Sequence, residues 1–236
     1  MFEPNLIEES RRLCLALKQR LPQRQSLSPD ATFLGANGES ITVILPCKLQ
    51  ALVGSLAWRA HDFGTLACDL FRDQRVVPGA VITRALMETT ALVYSVWKKT
   101  NQALSDSKLE ALDDFLVLCL SGNRLGKGDP KSANVLTAIQ AVNKEPGCEQ
   151  YEDFYASLCE FCHPNALGSF YAYCRFDDAT RVTSFGHNRG LTEGNDVAFS
   201  LVFALEVLLE FLARTDLLLP KLTESAKKVV AERGVG

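Results

Sequence analysis

One stretch of the sequence, residues 78–99, is apolar at positions that cover nearly the whole circumference of a helix. Pro78 suits the first turn of that helix, where its missing N–H removes no hydrogen bond. The apolar positions are Val81, Ile82, Leu86, Met87, Leu92, Val93, Val96 and Trp97. A helix with no polar side belongs in the middle of a bundle, where neighbouring helices cover it. The sequence therefore predicts a helical bundle built around residues 78–99.

Helical periodicity recurs on both sides of this segment. The other predicted helices cover residues 3–21, 48–72, 106–120, 132–144 (capped by Ser132), 149–162, 195–214 (capped by Asn195) and, beyond Pro220, the C-terminus. Two short hairpins are also predicted, one around Asn37-Gly38 and one in which residues 169–176 and 181–185 alternate across "DDAT". The fold class is mainly α: a helical bundle with two small β-hairpins.

We predict a single helical domain over residues 1–236. It divides into an N-terminal helix and hairpin (1–47), a bundle core (48–215) and a C-terminal helix (216–236). With 47% hydrophobic and 22% charged residues, the chain has ample apolar surface for a core. The net charge of −3 gives no global basic field, so contact with a nucleic acid would need a local patch.

The beginning of the chain has early acidic residues and no long apolar core, unlike a signal peptide. The most apolar stretch, residues 197–209, is interrupted by Ser200 and Glu206 and is too short to span a bilayer. We therefore expect a soluble cytoplasmic protein without a membrane partner. Its eight cysteines are expected to be reduced thiols that pack as small apolar residues.

The stretch "CEFCHPN", residues 159–165, is open to three interpretations. CxxCH matches the haem attachment pattern, but that chemistry normally takes place outside the cytoplasm. Cys159, Cys162, His163 and Cys174 could supply four zinc ligands, although adjacent helical residues rarely face one ion and no second CxxC exists. The favoured interpretation is that both cysteines pack into the core and that no metal or cofactor binds.

On that interpretation His163 ends a helix, just before Pro164 and Asn165. The negative end of the helix dipole favours the charged form of a histidine there, which suits a proton donor or a phosphate contact. A histidine that only caps local carbonyls fits the same position. We keep His163 and Asn165 as candidate site residues.

Arg84 and Glu88 lie four residues apart on the apolar helix and therefore share one face. Burying both charges without a use for them is costly. The pair is predicted to be either a structural clamp or part of a binding site.

The loop "GNRLGKGDPKS", residues 122–132, resembles a phosphate-binding loop only superficially. Its first two glycines enclose three residues rather than four, and a glycine follows Lys127 where a metal-binding Ser or Thr belongs. A weaker expectation remains: Arg124, Lys127 and Lys131 precede a predicted helix N-terminus, whose backbone amides attract anions.

Arg181 and His187 have five residues between them. Helical RNases of the HEPN type carry an arginine and a histidine at a similar separation, at the start of a helix. Here the pair falls on a predicted hairpin and loop.

Three segments, "RALMETTALVY", "NRLGKGDPKSANVLTAIQAVNK" and "YASLCEFCHPNALG", together resemble an uncharacterised bacterial helical domain family with an HPN motif. The resemblance covers roughly residues 50–215. The positions similar to that family's pattern are Arg84, Glu88, Glu160, His163 and Asn165. The family is in turn distantly similar to HEPN bundles, some of which are RNases in toxin or phage-defence systems. The resemblance implies a homodimer whose two sites meet across the interface.

Two hypotheses follow. In the first, His163 and Asn165 join Arg84 and Glu88 in a site for RNA or nucleotide phosphate, and in an RNase His163 or His187 would be the general acid or base. In the second, the protein is a non-enzymatic interaction module in which the Arg–Glu pair is a clamp. An aromatic hairpin with Tyr171, Tyr173 and Arg175 would then dock a partner.

Overall fold

A computed structural model describes residues 3–23, 44–121, 134–187 and 194–232. The helices are α1 (Pro4–Gln19), α2 (Leu45–Arg72), α3 (Val76–Asp106), α4 (Leu109–Ser121), α5 (Val135–Val142), α6 (Tyr151–Cys162), α7 (Tyr171–Tyr173) and α8 (Gly194–Glu232). A π-helical turn, Ala166–Phe170, precedes α7, and strands β1 (Cys174–Asp177) and β2 (Val182–Phe185) form an antiparallel hairpin. Of the described residues, 80% are helical, which confirms the predicted mainly α-helical bundle with a small hairpin.

The central helix is α3. It packs most extensively against α2 and α8 and also touches α4, α5 and α6. Leu86, Met87, Val93 and Val96, which lie on different sides of α3, are fully buried. The prediction that residues 78–99 form the core helix is therefore confirmed, although α3 extends beyond both predicted ends.

Among the described residues, α3 is also the one helix that is long and apolar enough to cross a membrane. Of its most apolar 18-residue window, 56% is buried inside the bundle. That burial is what the core position of α3 requires, because its apolar surface already faces other helices.

The corner between α2 and α3 is tightly packed. Phe71, near the end of α2, is fully buried, and Gly79 lies against its ring in the first turns of α3. A Cβ atom at Gly79 would come within 2.2 Å of the ring, closer than any real contact. The absence of a side chain at residue 79 therefore allows the two helices to turn back on each other.

The C-terminal part of the bundle differs from the prediction. Helix α8 runs without a break through Pro220, so the expected separation of two helices there is wrong. Leu218 and Leu222, on either side of the proline, are buried on the same side of α8, and their packing keeps the helix continuous. Pro220 is exposed, so water can bind the carbonyl group that its missing N–H leaves unbonded.

The N-terminal caps of two helices also differ from the prediction. Helix α8 begins at Gly194, one residue before the expected cap. The side chain of Asn195 instead accepts a hydrogen bond from the Glu3 backbone N–H at 2.9 Å and joins α8 to the start of α1. Helix α5 is capped by Asn134, whose side chain accepts from the Leu136 N–H at 3.1 Å. The predicted cap, Ser132, lies outside the described residues.

The second predicted hairpin is present but shorter. Residues 169–173, expected as strand, belong to the π-helical turn and to α7. Gly168 and Ala172, four residues apart, are the buried positions of this segment, which is a helical rather than a strand spacing. The first predicted hairpin, around Asn37-Gly38, lies outside the described residues.

Candidate functional site

The predicted Arg84–Glu88 pair is joined by a third side chain, Tyr155 of α6. Arg84 donates to the Tyr155 hydroxyl oxygen through Nε at 3.3 Å and through Nη2 at 3.2 Å. That hydroxyl donates in turn to Glu88 Oε1 at 2.9 Å, and Arg84 Nη2 lies 3.3 Å from the same carboxylate oxygen. Every member of the triad thus has a partner within it.

The triad is not sealed in the core, as the sequence interpretation assumed. The side chains of Arg84 and Glu88 are 36% and 30% exposed. Hydrogen bonding to Tyr155 raises the pKa of Arg84 above its usual range, so the guanidinium is always charged. Burial, opposed by the Arg84 hydrogen bond, raises the pKa of Tyr155 to about 12.

Both cysteines of the CxxC lie beside this triad. Both thiols are close enough to Arg84 to interact with its guanidinium and to raise its pKa. Burial raises the pKa of Cys159 above its ordinary value, so this thiol is mostly protonated at neutral pH. Cys159 and Cys162 are both partly buried, and Cys159 packs against the core.

His163 follows Cys162 directly, so the end of α6 lies next to Arg84. The backbone of His163 is extended and ends the helix. Its imidazole is exposed and has no hydrogen-bonding partner among the described residues. Of the predicted site residues at this end of α6, His163 alone presents an uncommitted side chain.

The Asn165 side chain, in contrast, is used within its own turn. Its Nδ2 donates to Glu160 at 2.7 Å and its Oδ1 accepts from the Gly168 N–H at 2.9 Å. Gly168 lies against the backbone of His163, where a Cβ would meet the His163 carbonyl oxygen at 2.0 Å. The "HPN" segment is therefore a compact turn that Asn165 holds together.

The structure does not assemble the four zinc candidates. Within the described ranges, no group of three or more His, Cys, Asp or Glu side chains is arranged to hold a metal ion. The eight cysteines, all within these ranges, are thiols rather than disulfides.

The other predicted site residues lie elsewhere. Arg181 is in the turn between the two strands, with a left-handed backbone at φ 59°, and His187 follows β2 with its ring 5.8 Å from that of Tyr173. Both side chains are exposed, and neither starts a helix. Arg124, Lys127 and Lys131 lie outside the described residues.

A second candidate site surrounds the hairpin. Five large apolar side chains between residues 170 and 185 are between 44% and 75% exposed: Phe170, Tyr171, Phe176, Val182 and Phe185. We refer to these five residues as the aromatic hairpin surface. Such a concentration of exposed apolar side chains is typical of an interaction site, whereas single exposed apolar residues are ordinary.

The strand register divides the hairpin into two faces. Opposed residues of an antiparallel pair share a face, and neighbours along a strand alternate. One face carries Cys174, Phe176, Thr183 and Phe185, and the other carries Arg175, Asp177, Val182 and Ser184. Cys174 is the only buried residue of the two strands. The hairpin therefore has an apolar face with two exposed phenylalanines and a face with two opposite charges.

The backbone groups of β1 also alternate in direction. The Gly186 N–H donates to the Tyr173 carbonyl at 2.9 Å, so these two residues form a hydrogen-bonded pair. Hydrogen-bonded pairs alternate along an antiparallel ladder, so Arg175 and Asp177 direct their backbone groups toward β2. Phe176 directs its N–H and C=O toward the opposite edge, where no other described strand lies.

Sequence reasoning identified the aromatic hairpin and the Arg–Glu pair but missed the bridging role of Tyr155. Tyr155 lies four residues before Cys159 on α6, and this spacing indicates a side chain that packs beside the cysteine rather than one that hydrogen-bonds to α3. Comparisons with protein families, with curated proteins and with solved structures gave no match to this chain.

Proposed function

We propose that the protein is a non-enzymatic interaction module that forms a homodimer through its hairpin. The observation that carries this proposal is the aromatic hairpin surface, where Phe185 and Phe176 share one face of the hairpin and are 75% and 44% exposed. A two-stranded hairpin is marginally stable in water unless further strands or a packed face support it. Edge-to-edge pairing with a second copy supplies the further strands.

The sequence of β1 is complementary to itself. When two copies of β1 run antiparallel with Phe176 opposite Phe176, each Arg175 stands opposite Asp177 of the second copy. The two positions lie on the same face of the hairpin, so both opposed pairs join unlike charges. Across residues 175–177 of the two copies, no two like charges stand opposite each other, which favours this register.

The backbone directions agree with the same register. The outward N–H and C=O groups of the two Phe176 residues would exchange two hydrogen bonds across the twofold axis. Arg175 and Asp177 would then form non-hydrogen-bonded pairs, the type in which opposed side chains come closest. The product is a four-stranded sheet with the phenylalanines of both copies on one face.

A protein partner is favoured over RNA by charge. Around the hairpin, Arg175 and Arg181 are balanced by Asp177 and Asp178, and the chain as a whole carries a net charge of −3. Binding to RNA depends on a surplus of cations along the phosphate backbone. The balanced charges of the hairpin suit a copy of itself better.

In this proposal the Arg84–Tyr155–Glu88 triad is a clamp between α3 and α6. Each charge has its counter-charge and a shared hydroxyl within hydrogen-bonding distance. The carboxylate of Glu88 beside Arg84 also repels a phosphate. The role of the triad in this proposal is therefore to hold α6 against α3, and it takes part in no reaction.

Sedimentation equilibrium over a range of concentrations tests the dimer. A short strand pairing buries little area, so we expect a dissociation constant on the order of 10 μM. Arg175→Asp sets two acidic side chains against each other on both sides of the axis and should weaken the dimer about tenfold or more. Lys108→Asp, the same charge change at an exposed position away from the hairpin, should leave it intact.

Cross-linking tests the register. Phe176→Cys should form a disulfide between two chains under mild oxidation, since the two side chains face each other across the axis. Thr183→Cys, on the same face but on β2, should not, because two strands separate it from its counterpart. A wild-type monomer at all concentrations would refute the proposal. If that monomer bound a single-stranded RNA and lost the binding in Phe185→Ala, the surface would be an RNA platform instead.

A second candidate function is phosphate binding or RNA cleavage at His163, supported by its exposed imidazole directly after Cys162, a thiol that interacts with Arg84. It ranks second because Arg84 is already paired with Glu88. Cleavage of RNA by the wild type, lost in His163→Ala and kept in His187→Ala, would favour this function. Equal rates in all three proteins would remove both histidines as catalysts.

A further inference from the structure

Two of the eight cysteines face each other inside the bundle. Cys14 of α1 and Cys68 of α2 have their Sγ atoms 3.9 Å apart and share a hydrogen bond. Cys14 is 6% exposed and Cys68 is 2% exposed. The pair therefore lies in the interface between α1 and α2, where packing holds two thiols that are 54 residues apart in the sequence in contact.

The close approach of the two helices depends on a glycine. Gly64 precedes Cys68 by one turn of α2, and a Cβ atom at Gly64 would lie 2.9 Å from the Sγ of Cys14. A larger residue would therefore push Cys14 and α1 outward. Since Gly64 has no side chain, the thiol of Cys14 rests directly on α2, next to Cys68.

We propose that Cys14 and Cys68 are a modification site at which a hydroperoxide forms an intramolecular disulfide. Joining the two sulfurs requires them to approach from 3.9 Å to about 2.05 Å, by rotation of two short side chains and a small shift of α1. The nearest pair of ionisable groups around them, Arg11 and Asp69, lies at the outer edge of the same interface, 3.9 Å apart.

The chemistry proceeds in two balanced steps. The Cys68 thiolate attacks the peroxide, the O–O bond breaks and Cys68 becomes a sulfenic acid, while the leaving alkoxide or hydroxide takes up the proton that Cys68 released and departs as an alcohol or as water. The Cys14 sulfur then attacks the sulfenic sulfur, the S–S bond forms, the S–O bond breaks, and the leaving hydroxide departs as water with the Cys14 proton. The two thiols lose two electrons in total, and the peroxide gains them.

The two thiols differ in the way this order requires. The hydrogen bond from the Cys14 thiol lowers the pKa of Cys68, and the charge of Arg11 acts in the same direction. The same hydrogen bond and burial raise the pKa of Cys14. Cys68 is therefore the sulfur that ionises first. An oxidant reaches it when α1 opens locally, since among the described elements α1 packs mainly against α2 and α8, and the two thiols lie in its interface with α2.

The cross-link would close a loop between residues 54 apart in the sequence. Because a disulfide of this span restricts the unfolded chain, the oxidised protein should melt about 5–10 °C above the reduced one. Oxidation would thus fix α1 against α2 and make the fold more resistant to heat.

Peptide mapping of the peroxide-treated wild type tests the site directly. After the remaining thiols are blocked, trypsin releases Cys14 in residues 13–18 and Cys68 in residues 60–72, each with one cysteine. We expect these two peptides to appear joined, with six thiols still available for blocking. Failure to recover the joined peptide, or its replacement by a link involving Cys159 or Cys162, would overturn the proposal.

Variants test the thermal effect. Cys14→Ala and Cys68→Ala should lose the rise in melting temperature on oxidation, whereas Cys148→Ala, at another buried cysteine, should retain it. A rise of equal size in Cys14→Ala would contradict the proposal. If an alanine variant does not fold, the peptide map of the wild type still decides the matter, because it requires no substitution.

Discussion

The hydroxyl of Tyr155 donates a 2.9 Å hydrogen bond to the Glu88 carboxylate and so joins α6 to the central helix α3. Since Arg84 donates to the same hydroxyl, one oxygen atom mediates between two opposite charges. Without it, the aromatic ring of residue 155 would still separate the two helices. The contribution of the hydroxyl can therefore be measured apart from that of the ring.

Tyr155→Phe should lower the free energy of unfolding by about 1–2 kcal/mol, because Arg84 and Glu88 each lose a hydrogen-bonding partner while the ring remains. Urea unfolding at neutral pH measures the change. Tyr171→Phe is the matched control, since Tyr171 is 46% exposed and no described residue hydrogen-bonds to its hydroxyl. Equal losses in the two variants would argue against a clamp.

The same tyrosine predicts a pH dependence. The pKa of Tyr155 is raised to about 12 in the folded protein, mainly by burial, whereas an unfolded tyrosine ionises near 10. The folded state thus holds this proton more tightly, and the stability it contributes is complete below about pH 10 and is lost as the pH rises toward 12.

Urea unfolding of the wild type and of Tyr155→Phe between pH 8 and about 11 should therefore show a smaller loss of stability in the variant. Comparing the two proteins cancels the contributions of Tyr94 and Tyr151, whose pKa values burial also raises. Parallel curves over the whole range would show that Tyr155 ionises normally.

A second ion pair, between α2 and α4, is more deeply buried. Lys48 Nζ lies 2.6 Å from Asp113 Oδ1, and the two side chains are 19% and 6% exposed. Asp113→Asn leaves the lysine charge without its counter-ion in the interior and should destabilise the protein by about 2–4 kcal/mol. Asp114→Asn, at the exposed next position of α4, should change stability by less than about 0.5 kcal/mol.

The combined replacement Lys48→Met with Asp113→Leu separates the cost of an unpaired charge from the value of the pair. We expect it to be more stable than Asp113→Asn alone, because no buried charge remains. Chemical denaturation of the wild type, Asp113→Asn, Asp114→Asn and the double variant gives the four free energies of unfolding. A double variant as unstable as Asp113→Asn would show that the ion pair itself stabilises the fold.

Gly79→Ala should destabilise the protein by about 2 kcal/mol, although alanine is normally the better helix former by about 1 kcal/mol. The new methyl group would overlap the buried ring of Phe71. Adding Phe71→Leu, which removes the ring, should make the glycine replacement less costly. Thermal unfolding of the two single variants and the double variant checks the sign and the coupling.

Much of the bundle could be predicted because its helices carry local signals. The apolar circumference of residues 78–99 predicts contacts on most sides, and α3 packs against five other helices, although Val81 stays 43% exposed. Pro220 was misleading because a proline forbids one hydrogen bond but does not end a helix whose residues 218 and 222 are both anchored in the core. At Pro220, the packing of α8 against the rest of the bundle therefore outweighs the tendency of a proline to end a helix.

The contacts of the candidate site were less accessible to prediction. Tyr155 is 67 residues from Glu88, and their hydrogen bond depends on how α6 is rotated against α3. The approach of Cys14 to Cys68 likewise depends on the packing of α1, which periodicity does not define. The sequence predicted the hairpin but not its register: Asp177 and Val182, the innermost strand pair, include a residue that the prediction placed in the turn.

The central position of α3 has a consequence for synthesis of the chain. Helices α2 and α3 are separated by three residues and can pair as soon as both have left the ribosome. Helix α8, the other large cover of α3, begins only at residue 194. For most of translation the nascent chain therefore carries α3 with one apolar side uncovered. A chaperone can bind that side until α8 has been synthesised.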